Sequence, residues 1–130
     1  MQFSTLIALA LPAVALAAPA PITSRAAGWT IRNFSRNCTN PNICTYNFTI
    51  DTGSGTQQCT TVDIASPATT HPWYGVSCQQ QNKDWYASWG WDYNGDFTVM
   101  TVVNVPSQME AFFGYNHPNA GLPIAHYADV

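Results

Sequence analysis

The sequence predicts an all-β domain, a compact antiparallel β-sandwich or β-barrel of about six to eight short strands with two disulfides. Three observations carry this expectation. Between Trp85 and Val105, two arms rich in aromatic and β-branched residues flank Asn94-Gly95, a dipeptide suited to the positive φ values of a type I′ hairpin turn. From Cys44 to Asp51 apolar and polar residues alternate strictly, as in a strand with one wet face. Short extended segments elsewhere are separated by glycine, proline and asparagine, and no helical signal rises above background.

An apolar run from Leu6 to Leu16 ends in Ala15-Leu16-Ala17, a small-x-small cleavage site, so residues 1–17 read as a secretory signal peptide. The run is too short to span a bilayer, which takes about 20 apolar residues, and no later stretch approaches that length. Residues 18–27 form a flexible leader, residues 28–115 the β domain, and residues 116–130 an irregular tail. The exported part is long enough for one domain and too short for two.

The first strand is expected from Trp29 to Phe34, with Trp29 and Ile31 on one face, followed by a loop from Ser35 to Ile43. In the second, Cys44, Tyr46, Phe48 and Ile50 share the apolar face. Thr52-Gly-Ser-Gly turns the chain into a third strand, Thr56 to Ile64. Its apolar positions, Cys59, Val62 and Ile64, slip phase once, which a bulge near Thr60 would produce. Ala65 to Pro72 is a loop and Trp73 to Cys78 a fourth strand. In the hairpin, Trp85, Ala87, Trp89, Trp91 and Tyr93 share one face of the first arm. On the second arm Phe97, Val99, Thr101, Val103 and Val105 share one face, and the hairpin as a whole is expected to wall the core. Pro106 ends that strand, and Ala111 to Tyr115 adds a last one.

The four cysteines, Cys38, Cys44, Cys59 and Cys78, are an even set in an exported chain, with three possible connectivities. The turn Asn40-Pro41-Asn42 brings Cys38 to Cys44, and Cys59–Cys78 staples the strands on either side of a long loop. No Cys-x-x-Cys spacing or neighbouring histidine supports a zinc site instead. Asn33, Asn37 and Asn47 head Asn-x-Ser/Thr sequons, so all three are candidate glycosylation sites.

Chemistry is sparse. Seven acidic residues against four Lys plus Arg give a net charge of −3, which leaves no basic footprint for nucleic acid or anionic membrane. His71 and His117 precede prolines in loops and His126 lies in the tail, none at a ligand-like spacing from a carboxylate or second histidine. Asp92 and Asp96 flank a tight turn rather than a cleft, unlike the paired carboxylates of a glycosidase. No Gly-x-Ser-x-Gly elbow or phosphate-binding loop is present. The sequence therefore points to no catalytic residue, no metal and no cofactor. What it has in surplus is aromatic side chains. Tyr74, Tyr86 and Tyr93 are the candidate contact residues, since a partner can use both ring and hydroxyl. Trp85, Trp89 and Trp91 are the alternative, a stacking platform for sugar rings, set against their use as core.

Taken together, Trp29-x-Ile31-x-x-Phe34, Phe48-x-Ile50, Cys59, the Trp73-Tyr74 pair leading to Cys78, and the long hairpin resemble small secreted fungal proteins. These are the hypersensitive-response-inducing elicitors and the related major Alternaria allergen family. The resemblance covers Trp29 to Val105 and implies a compact β-barrel or sandwich, with Cys59 and Cys78 matching the bridge around the Trp-Tyr strand. Unlike the allergen type, this chain has no cysteine after Cys78, and internal pairing leaves no thiol for a covalent dimer. The implied function is that of a secreted, non-enzymatic effector or elicitor that triggers plant immunity by being bound. Its expected partner is a plant protein or cell-surface receptor, its expected state a monomer, and its expected place the apoplast or fungal surface. The alternative is a carbohydrate-binding surface protein contacting cell-wall polysaccharide.

Overall fold

The computed structural model describes residues 27–79 and 82–130, so the expected signal peptide and nearly all of the leader lie outside the described residues. Eight strands follow in order: β1 (Thr30–Asn40), β2 (Ile43–Asp51), β3 (Thr56–Ile64), β4 (Trp73–Gln79), β5 (Asn82–Asp92), β6 (Phe97–Asn104), β7 (Met109–Asn116) and β8 (Ile124–His126). They form two four-stranded antiparallel sheets, a first in the order β3-β2-β1-β8 and a second in the order β4-β5-β6-β7. No helix occurs among the described residues. The disulfides are Cys38–Cys44, across the β1–β2 turn, and Cys59–Cys78, which joins β3 of the first sheet to β4 of the second.

The two sheets enclose an aromatic core because alternation turns every second side chain of the long strands inward. In β2 these are Cys44, Tyr46, Phe48 and Ile50, all fully buried. Phe34 sits at the centre, with ring centroids 5.2 Å from Phe48, 5.8 Å from Trp89 and 5.2 Å from Tyr115, so one ring touches both layers. Such tilted and edge-to-face pairs are favoured by the aromatic quadrupole.

Several local expectations differ from the structure. The first strand continues through the expected loop to Asn40, and the turn is confined to Pro41 and Asn42. The bulge lies in β1 and not in β3. Pairing with β2 shifts between Arg32 and Ser35, where Asn33 takes a positive φ of 54°, and this lets Ile31 and Phe34 both face inward. β3 pairs with β2 without a break from Asp51↔Thr56 to Ile43↔Ile64. Its inward residues are Cys59, Thr61 and Asp63, while Val62 and Ile64 face solvent. The apparent phase slip arose because two polar residues occupy the inner face and two aliphatic ones the outer.

The hairpin buries opposite parities on its two arms. Trp91 pairs with Thr98, Trp89 with Met100 and Ala87 with Val102, so the inward residues of β6 are Thr98, Met100 and Val102. Phe97, Val99, Thr101 and Val103 turn outward instead of walling the core. The turn is a four-residue loop, Tyr93 to Asp96, between the paired residues Asp92 and Phe97. Its positive φ, 47°, falls on Asp96 and not on Asn94 or Gly95, and Asp92 Oδ1 accepts the amides of both Asn94 (3.2 Å) and Gly95 (3.3 Å). An Asx-type carboxylate clamp thus replaces the type I′ turn.

The last segment, expected as an irregular tail, holds the short strand β8 among turns and is tied to the first sheet. It runs along the free edge of β1, from Cys38 N–H donating to the Pro123 carbonyl (2.7 Å), through β8, to a reciprocal pair between Ile31 and Val130 (2.8 and 3.2 Å). Arg32 adds side-chain ties to Asp51 (2.8 Å) and Asp129 (3.2 Å). That arginine and the Gly53 amide hold the Asp51 carboxyl below its usual range.

Candidate functional site

Chemistry-bearing side chains gather in two places, the end of the sandwich formed by the β3–β4, β5–β6 and β7–β8 loops, and the outer face of the second sheet.

The loop end is built around Arg36, an inward residue of β1 with no exposed surface. Its Nη1 donates to the Pro118 carbonyl (3.0 Å) and Asn119 Oδ1 (2.7 Å), and its Nη2 to the Thr69 carbonyl (2.8 Å). The rings of Tyr46, Trp89 and Trp91 surround the guanidinium at 5.3, 5.6 and 5.8 Å, within cation–π range. Two loops far apart in sequence are therefore pinned to one cation. Tyr93 stacks on Trp91 with centroids 5.8 Å apart and planes 3° from parallel, and its hydroxyl donates to the Thr70 carbonyl at 3.0 Å. Tyr46, under this end, has its pKa raised by burial, although Arg36 and Trp73 stand close enough to pull it partly down. None of these gives it a well-shaped hydrogen bond, and the Thr61 hydroxyl is also buried without a partner.

Two histidines find carboxylates here that their sequence spacing does not reveal. His71 Nδ1 lies 3.0 Å from both oxygens of the largely buried Asp63, and His117 Nδ1 lies 2.8 Å from Asp96 on the surface. Anchoring an imidazole through Nδ1 is how proteins orient a general base or a metal ligand. Among the described residues, no group of three or more His, Cys, Asp or Glu is arranged to hold a metal ion. His126 is exposed on β8, opposite Ser35.

The tryptophans of the hairpin face inward. Trp89 is fully buried, Trp85 packs against Trp29 (5.1 Å), and Trp91 lies between Trp89 (6.4 Å) and Tyr93. Trp85, Trp89 and Trp91 therefore line the core side of β5 rather than an outward stacking platform.

The three tyrosines separate. Tyr74 and Tyr86 share the outer face of the second sheet, while Tyr93 belongs to the loop end. Tyr74 is 67% exposed, its ring lying over Gly90, where an added Cβ would stand 3.7 Å from the ring. Outward parity also exposes Phe112, at 59%, with Val99 and Val103 between the rings. Phe97 covers Gly114 so closely that a Cβ there would stand 2.5 Å from the ring. Phe112 is an addition to the expected contact set, although the alternation of inward Ala111, Phe113 and Tyr115 already marks it as outward.

The sequon asparagines all lie on the first sheet. Asn33 is exposed at the β1 bulge, Asn37 caps the Thr39 amide (3.1 Å), and Asn47 accepts a hydrogen bond from Thr60 Oγ1 (2.7 Å) on the outer face. The two outer faces thus differ in character. One mixes amides and hydroxyls with the aliphatic side chains of Ile43, Val62 and Ile64, and the other carries rings.

These features define a small two-disulfide β-sandwich whose accessible aromatic groups concentrate on one sheet. The chain belongs to the effector TSP1 family, whose family model matches residues 30–123, and it is thereby a small effector protein. Comparison with curated proteins and with solved structures found no match.

Proposed function

We propose that this chain is a secreted fungal effector that triggers plant immunity, including the hypersensitive response, by being bound by a plant protein and without catalysis. The observation that carries the reading is the effector-family match over residues 30–123. Two disulfides support export, because such bonds persist in oxidising compartments. Among the described residues no helix is long and apolar enough to cross a membrane. In this reading the chain is cleaved after Ala17 and reaches the apoplast as a monomer, with Asn33, Asn37 and Asn47 as its glycan acceptors. The resemblance to hypersensitive-response elicitors and the Alternaria allergen type rests on Trp29, the Trp73-Tyr74 pair and the Cys59 and Cys78 positions.

Leaf infiltration tests the proposal. Purified disulfide-intact protein is expected to cause cell death and defence-gene induction, and reduced, unfolded protein is expected to cause neither. Absence of any response across several hosts would overturn the elicitor reading.

A further inference from the structure

Three features single out the outer face of the second sheet. Its centre is aromatic and aliphatic, with Tyr74, Phe112 and Val99 exposed and Tyr86 and Val103 half-buried beside them, across four hydrogen-bonded strands. The charged residues that strand parity places on this face are Asp84, Asp92 and Glu110, all acidic. The three sequon asparagines lie on β1 and β2 of the other sheet, so a glycan on any of them leaves this face bare.

We infer that the outer face of the β4–β7 sheet is the surface through which this effector docks onto a partner protein, and that the partner presents an apolar patch rimmed by lysine and arginine. The inference rests on the reading that the chain acts by being bound. Aromatic side chains at the centre of a patch supply most of the affinity in protein interfaces, and charges at the rim steer encounter and choose the partner. A second copy of this chain is a poor occupant, because face-to-face pairing sets three carboxylates against three. An uncharged glycan gives those carboxylates no counter-charge. The aliphatic side chains on the first sheet, Ile43, Val62, Ile64 and Ile124, lack rings, and the sequon residue Asn37 lies with Thr45 in the row between Val62 and Ile124.

The test measures saturable binding of fluorescently labelled protein to protoplasts of several plant hosts, separately from cell death. The double variant Tyr74→Ala/Phe112→Ala and the single variant Glu110→Lys are each expected to weaken binding by roughly tenfold or more. Val62→Asp/Ile64→Asp is expected to bind as the unaltered protein does. Thermal melts identify any variant that fails to fold, and Glu110→Lys carries the test if the double variant does. Proteolytic shaving of the protoplasts should abolish binding, and added salt should weaken it. The inference is overturned if the unaltered protein shows no saturable binding, or if the face variants bind normally. It is equally overturned if binding survives shaving and is matched by retention on chitin or glucan, or if the face proves to be a self-association surface by sedimentation. Binding lost in the variants without any cell death would sink the immune reading alone and leave the docking surface standing.

Discussion

A guanidinium with no exposed surface depends wholly on its neighbours, which for Arg36 are two backbone carbonyls, one asparagine oxygen and three rings. Among the described residues no carboxylate stands within ion-pair distance of it. Arg36→Met keeps much of the apolar stem and removes every donor, stranding the Thr69 carbonyl and Asn119 Oδ1 and leaving the Pro118 carbonyl with the Tyr127 hydroxyl alone. Hydrogen bonds from a charged donor contribute about 1.5–3 kcal/mol each, so a loss of at least about 3 kcal/mol is expected in urea unfolding. A negligible loss would mean the loops hold themselves. Thr61 is the opposite case. Its hydroxyl is buried without a partner on the inner face of β3, so the near-isosteric Thr61→Val should raise stability by about 1 kcal/mol. A lowered midpoint in the same titration would show that the hydroxyl has a partner after all.

At the scale of elements, the short β8 and its flanks protect the edge of β1. Tyr127 packs on Phe34 with centroids 4.7 Å apart, and hydrogen bonds run from Cys38 at one end to Ile31 at the other. Ending the chain after Pro123 would bare both a row of unpaired backbone groups and the central ring of the core. An uncovered edge recruits other chains, so the truncated protein is expected to melt lower and to aggregate reversibly with concentration, seen by light scattering. None of this was legible in the sequence, since three residues make no periodic signal and their partner lies about ninety positions away. β2 was legible because Tyr46, Phe48 and Ile50 are both apolar and inward. The bounds of β3 were legible too, but its facing was not, because Asp63 and Thr61 occupy inward positions that sequence patterning assigns to hydrophobes, and Asp63 is tolerated there through His71, eight residues along. The shared face of Tyr74 and Tyr86 depends on a register shift between Trp73 and Val76, where Gly75 takes a φ of 62°. A one-residue change of phase decides which side chains see solvent, and only the paired strand fixes it.

For the whole molecule, phenols and disulfides set the conditions under which the two sheets stay together. Burial raises the pKa of Tyr46, Tyr115 and Tyr127 above the ordinary 10.0, which favours the neutral ring in the folded state. The unfolded chain ionises first, so their contribution is complete below about pH 10 and declines as pH rises beyond it. Tyr115→Phe removes a hydroxyl that has no partner, and should blunt the alkaline fall in melting temperature with little effect at neutral pH.

The disulfides differ in what they close. Cys38–Cys44 spans 6 positions within one hairpin, whereas Cys59–Cys78 spans 19 and ties sheet to sheet. Chain-entropy arguments assign about 2 kcal/mol to the first loop and about 3 kcal/mol to the second. The longer loop also carries Thr69, Thr70 and His71, so releasing it loosens the carbonyl that Arg36 grips and the one that Tyr93 grips. Cys59→Ala/Cys78→Ala is therefore expected to cost more stability than Cys38→Ala/Cys44→Ala. It should also speed amide exchange across residues 65–72, while the hairpin variant changes exchange only near its own turn. Equal costs with unchanged exchange in that loop would place the cohesion of the sandwich in its aromatic core alone.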